Sequence, residues 1–204
     1  MIVVVDSGMG NLGSILNMLK KIGAEARLSA DAADVGRAEK LILPGIGAFD
    51  VGMHSLAARG LIEPLNERVL AARVPVLGIC LGMQLFAATS EEGQLPGLGW
   101  IRAETRRFRY EGMEPLRVPH MGWNTLRVAA PHPLFEGLDE EPRFYFVHSY
   151  HLACQDADDV VGVTHYGYDF PAVVARGNIM GTQFHPEKSH RFGMQLLKNF
   201  ATRL

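Results

Sequence analysis

Cysteine is scarce: Cys80 and Cys154 are the two in a chain of 204 residues. A polypeptide of this length buries most of its apolar surface on folding and needs no disulfide or metal staple. Two cysteines in a protein with no secretion signal are expected as free thiols. Charge of one sign is lacking too, since 20 Lys and Arg face 22 Asp and Glu. Without a basic footprint, the chain is not built mainly to hold nucleic acid phosphates. Long hydrophobic runs are also missing. The stretches Ile2 to Val5 and Val74 to Leu81 fall short of a bilayer span, and Asp6 ends the first too early for a signal peptide. The expectation is a cytoplasmic protein with no membrane or nucleic acid contact, folded as one domain over residues 1–204.

The remaining composition, 48% hydrophobic and 21% charged, is that of a packed globular chain. In the first half, short apolar runs alternate with helical stretches: strand Ile2 to Val5, helix Leu12 to Ile22, strand Ala24 to Ser29, strand Leu41 to Leu43, helix Leu61 to Ala72, strand Val76 to Ile79. That order predicts an α/β, doubly wound, mainly parallel sheet. After Ser90 the pattern turns β-rich, with runs at Trp100 to Tyr110, Phe144 to Tyr150, Val160 to Tyr166, Ala172 to Arg176 and Ile179 to Phe184. Gly177 and Asn178 read as a hairpin turn, Pro131 to Pro142 as a surface connection, and Lys188 to Leu204 as a closing helix.

Gly8, Gly10 and Gly13 form a GxGxxG after the first strand, and Asp31 follows near the end of the second. Those are parts of a dinucleotide fingerprint. The same glycines also serve a plain strand-to-helix turn, and a chain of this size leaves little room for a separate substrate domain.

Gly78-Ile79-Cys80-Leu81-Gly82 places a cysteine between a buried strand and a helix, with glycine two residues to either side. Such a turn holds its nucleophile in strained geometry, and side chains at the flanking positions would clash. The helix start favours thiolate, the reactive form of the residue. A cysteine packed as a small hydrophobe is the competing reading. At the end of the last strand, Pro186 keeps His185 extended, so Glu187 lies on the same side and can fix the imidazole tautomer. An isolated pair like this also fits a solvated loop. Leu43 to Gly47, directly after a strand, and the amide of Leu81 can supply two donors to an oxyanion, and the first of these also fits an ordinary turn. His148 and His151, three apart, fall on opposite faces of a continuing strand and are not expected to share a metal. Trp123, beside Gly122, suits either core or a partner contact.

Gly78 to Gln84 with His185-Pro186-Glu187 resembles the catalytic signature of class I, triad-type glutamine amidotransferases. Asp6 to Leu12, Pro44 to Gly47, His120 to Asn124, Val147 to Tyr150 and His185 to Ser189 are similar to the glutaminase subunits of imidazole glycerol phosphate synthase, in histidine biosynthesis. The resemblance implies a flavodoxin-like sheet with an added β-rich portion. It implies Cys80 as nucleophile, His185 as acid and base, and Glu187 as its orienting carboxylate. Gly45, Ile46, Gly47 and Leu81 are implied around the oxyanion, and Gln84, Gly47, Ser149 and Tyr150 around L-glutamine. Asn11, Trp123, Tyr145 and Lys188 are implied near a (β/α)8-barrel synthase subunit. That partner would receive ammonia through a channel and make imidazole glycerol phosphate and aminoimidazole carboxamide ribotide. No cofactor or metal is implied for this chain. Ser7 departs from the usual tyrosine, and Ile46 from the usual valine. Glutaminases of other pathways, such as pyridoxal phosphate synthase, share the catalytic signature. A nucleotide-binding Rossmann-type module remains the alternative from a different class.

Overall fold

The computed structural model describes residues 1–112, 114 and 116–204. Four strands, β1 (Ile2–Val5), β2 (Ala26–Ser29), β3 (Lys40–Gly45) and β4 (Val76–Cys80), lie parallel in the order β2-β1-β3-β4. The helices between them are α1 (Leu12–Lys21), the short α2 (Ala32–Val35), α3 (Phe49–Ala58) and α4 (Ile62–Asn66), which runs into a π-helical turn over Glu67–Ala71. The four-residue α5 (Leu81–Gln84) follows β4 without a break.

The second half adds β5 (Thr89–Ser90), β6 (Ala103–Arg107), β7 (His120–Thr125), β8 (Arg127–Val128), β9 (Arg143–His148), β10 (Tyr150–Cys154), β11 (Val160–Tyr166), β12 (Tyr168–Arg176) and β13 (Ile179–Thr182). β13 returns to lie parallel beside β4, with Thr182 opposite Ile79. The main sheet then continues antiparallel through β12, β11 and β8. β10-β6-β5 form a three-stranded sheet and β7-β9 a two-stranded ribbon. Helix α6 (His190–Arg203) closes the chain. Five parallel strands in flavodoxin-like order with a β-rich extension match the predicted class.

The parallel strands are buried on both faces, so their alternate residues feed two cores. Val3, Val5, Leu41, Leu43 and Val76 pack with Phe49, Leu56 and Leu65 on one side. Ile2, Val4, Ile42, Leu77 and Ile79 pack with Ile15, Leu19, Leu196 and Phe200 on the other. Among the described residues, no helix is long and apolar enough to cross a membrane.

Several predicted boundaries shift. β3 runs through Pro44 and Gly45, which were expected in the turn after it. Helix α3 escapes the periodicity because Val51 is apolar yet exposed while Gly52 is buried. Phe144 to Tyr150 is not one strand. Ser149 separates β9 from β10, and the two belong to different sheets. The closing helix starts at His190, because Pro186–Lys188 forms a 3-10 turn. Within Pro131 to Pro142, Leu134 and Phe135 turn inward into the core.

Candidate active site

The carboxyl ends of β4 and β13 lie side by side, and this register brings Cys80 and His185 to one place. Cys80 sits at φ 54°, ψ −111° between β4 and α5. A non-glycine residue held at positive φ costs about 1–3 kcal/mol and persists only when its surroundings impose it. The imposition is visible in the flanking glycines. A Cβ at Gly82 would lie 1.8 Å from the Leu43 carbonyl oxygen, and one at Gly78 would lie 2.7 Å from the backbone of Met83. Both positions must be glycine for the elbow to pack between β3 and α5.

His185 is anchored through its backbone: its N–H donates to the Tyr145 carbonyl at 2.9 Å. The Ser189 hydroxyl donates to the His185 carbonyl at 2.6 Å and accepts from the Tyr145 N–H at 3.0 Å. The imidazole Nδ1 meets Glu187 Oε1 at 2.8 Å, with both side chains buried. Nε2 is buried and makes no hydrogen bond among the described residues. Burial opposes charging of this imidazole, but the Cys80 sulfur and the Glu187 carboxylate outweigh it and hold the pKa up at about 10.

Cys80 and His185 line one cavity of about 370 Å³. Ile46, Gly47, Leu81, Gln84, Ser149 and Tyr150 line it as well. Gly45 does not. It lies buried in β3 opposite Cys80, where a Cβ would sit 2.9 Å from that of Leu81. Ile46 is half exposed where it lines the cavity. Gln84 is buried and donates from Nε2 to the Tyr150 carbonyl at 2.9 Å and to Gln183 Oε1 at 3.1 Å.

Three residues at or beside the cavity carry no individual role in the sequence reading, though His120 falls in the stretch His120 to Asn124 that carries the family resemblance. Glu92 is the carboxylate among the described lining residues, and its Oε2 accepts the N–H of Phe49 at the start of α3, at 2.9 Å. Burial raises its pKa. In sequence it is one of two adjacent acids in a turn, a pattern that reads as solvated surface. Gln183 donates toward the Cys80 sulfur at 3.7 Å. His120 Nδ1 lies 3.0 Å from His148 Nε2.

His148 and His151 do not sit on opposite faces of one strand, because the strand breaks between them. Both rings pack around Phe108, at centroid distances of 5.2 and 4.9 Å. Burial lowers the pKa of each and that of His120, the last to about 4. Neutral rings define a one-way chain. His148 Nδ1 faces the Tyr150 carbonyl at 2.7 Å and must donate, so its Nε2 accepts from His120 Nδ1. His120 Nε2 then accepts from Asn124 Nδ2 at 3.2 Å. His151 Nε2 is bonded to the Tyr168 hydroxyl at 2.8 Å.

Elsewhere, Trp123 and Met121 are exposed on β7, and Trp123 lies opposite Tyr145 on β9. Trp123 stacks on His190 at 5.3 Å, and Lys188 Nζ lies 5.6 Å over the Tyr145 ring. The four side chains make one patch. Asn11 is exposed at the start of α1, a helix that packs beside the Pro186–Lys188 turn. Asp31 caps α2, accepting the Ala33 N–H at 2.7 Å, so its carboxylate has a structural use. Cys80 and Cys154 are both free thiols, and burial raises that of Cys154 to about 12.

The family profile described as Glutamine amidotransferase class-I matches residues 3–204. Imidazole glycerol phosphate synthase subunit HisH 2 of Pseudomonas aeruginosa is 54% identical over 200 residues, covering 98% of each chain. The corresponding subunit HisH of Bdellovibrio bacteriovorus is 46% identical over 202 residues, covering 98% of this chain and 99% of its own. A solved glutamine amidotransferase shares the fold with a TM-score of 0.76, at 21% identity over 98% of this chain and 97% of its own. The chain belongs to the class-I glutamine amidotransferase family.

Proposed function

We propose that this chain, a single amidotransferase domain over residues 1–204, is the glutaminase subunit of an imidazole glycerol phosphate synthase. It hydrolyses L-glutamine to L-glutamate and ammonia. One observation carries the reading: a strained cysteine and a carboxylate-bound imidazole share a cavity at the ends of adjacent parallel strands.

In the first half-reaction, the proton of the Cys80 thiol rests on His185, and the sulfur attacks the side-chain carboxamide carbon of glutamine. Glu187 holds Nδ1, which leaves Nε2 to exchange the proton. The oxyanion rests on the amides of Leu81 and of the Gly45-Ile46-Gly47 segment, each such donor contributing about 100- to 1,000-fold in rate. His185 returns the proton to the departing nitrogen, ammonia leaves, and a γ-glutamyl thioester remains. Water then attacks the thioester. His185 takes the water proton and passes it to the leaving sulfur. Glutamine and water have become glutamate and ammonia. Gln84, Ser149 and Tyr150 flank the substrate, and Glu92 offers a negative charge to its α-ammonium group.

Ammonia set free in bulk water becomes ammonium and is lost as a nucleophile, so the activity requires a partner that takes it directly. The patch of Trp123, Tyr145 and Lys188, with Asn11 on the neighbouring helix, is the proposed contact with a (β/α)8-barrel synthase subunit. The relatives named as synthase subunits, similar along nearly their full length, support this choice of pathway. The test measures glutamate release with the synthase subunit and its ribotide substrate present. Cys80→Ala is expected to abolish release, and unchanged release in that variant refutes the proposal.

A further inference from the structure

A buried polar network behind the cavity has its polarity fixed from one end to the other. The Tyr150 carbonyl can only accept, so the amide nitrogen of Gln84 must point at it. The same nitrogen meets the oxygen of Gln183 at 3.1 Å. The Gln183 nitrogen is thereby turned toward the Cys80 sulfur, 3.7 Å away. Gln183 is fully buried, and among the described residues the sulfur is the one acceptor its nitrogen meets. A neutral thiol is a weak acceptor, so the buried amide is poorly satisfied until the sulfur is charged. On another side, the Val147 carbonyl lies 3.9 Å from the sulfur and can accept from the thiol. The sulfur therefore has one partner suited to each protonation state.

We propose that Gln183 is a positioning residue that favours the ionised, attacking form of Cys80 by donating an N–H to its sulfur. This rests on Cys80 being the nucleophile. A hydrogen bond to a charged group of ordinary strength amounts to about 10- to 100-fold in thiolate population. Gln84 acts one step further back by fixing which end of the Gln183 amide faces the sulfur.

The experiment follows alkylation of the full-length chain by iodoacetamide across pH, read at the Cys80 peptide by mass spectrometry. Gln183→Met keeps the volume and removes the donor. It is expected to slow alkylation about 10- to 100-fold at neutral pH while matching the parent at high pH, where the sulfur is ionised in both. Gln183→Glu keeps an acceptor for Gln84 and removes the donor toward the sulfur, and it is expected to slow neutral-pH alkylation at least as much. It serves where the methionine variant does not fold. A parental alkylation profile in a folded variant, with only its thermal stability lowered, marks a merely structural residue and overturns the proposal. Alkylation does not depend on glutamine turnover. A shifted profile combined with activity that survives Cys80→Ala would sink the glutaminase assignment, whereas a parental profile combined with activity that requires Cys80 would sink only this inference.

Discussion

Glu187 holds His185 in place and in charge, and the two effects can be separated by Glu187→Gln. An amide oxygen can still accept from Nδ1, but the negative charge that helps keep the imidazolium protonated is gone. The pKa of His185, now about 10, should fall. In the proposed mechanism His185 carries a proton to release ammonia, so the alkaline limb of glutaminase activity is expected to move to lower pH in the variant. An unmoved limb in a folded variant would show that His185 is not the group that titrates. The elbow makes a second demand. Gly82→Ala forces a methyl against the Leu43 carbonyl, and overpacking of this kind typically costs about 1–3 kcal/mol or more. Denaturant titration should show that loss of stability, and a parental midpoint would mean β3 and α5 separate easily. Cys80, His185 and Glu187 were legible in sequence because each belongs to a short local pattern. The roles of Gln183, Glu92 and His120 were not, although His120 lies in a family-like stretch, because their meaning comes from partners 103, 43 and 28 residues away.

The ribbon of β7 and β9 is the element that links surface to site. Its inner end holds His120 and His148, and its outer face presents Met121 and Trp123. The neutral histidines have a thermodynamic consequence with a definite sign. The folded pKa of His120, about 4, lies below its ordinary 6.5, so the unfolded chain binds more protons between those values. His148 is shifted the same way by burial. Stability from this cluster is fully present above about pH 6.5 and is lost as the pH falls toward 4. His120→Phe keeps an aromatic ring against Tyr166 and Phe146 and removes one titrating group. Denaturation midpoints are expected to fall less between pH 7 and pH 4.5 in the variant than in the parent. An equal fall would mean that the imidazole is not held neutral. The break at Ser149 and the helix over Phe49–Ala58 were the element-level misses. Both follow from tertiary packing overriding a local pattern: a strand that changes sheets, and a helix with an apolar residue on its exposed side.

At the scale of the whole molecule, the alternation of short strands and helices carried the fold. Near-continuous apolar runs marked strands buried on two faces, and the flavodoxin-like arrangement came from the family resemblance. Which surface meets a partner was not readable this way, because an exposed Trp looks the same in sequence as a buried one. The patch of Trp123, Tyr145, Lys188 and His190 leads to a separable prediction. Truncation of a central aromatic anchor typically costs 2 kcal/mol or more, about 30-fold in affinity. Trp123→Ala should therefore weaken binding of the synthase subunit about 30-fold and leave thermal unfolding of the free chain nearly unchanged, as measured by titration calorimetry and circular dichroism. Unaltered affinity would move the interface elsewhere. The central claim concerns a covalent bond, and acid quenching during glutamine turnover in the complex, followed by peptide mass spectrometry, tests it most directly. A γ-glutamyl group on the peptide carrying Cys80 is the predicted result. The adduct found on Cys154 instead, or glutamate formed with no adduct on Cys80 even when thioester breakdown is slowed, would contradict the account.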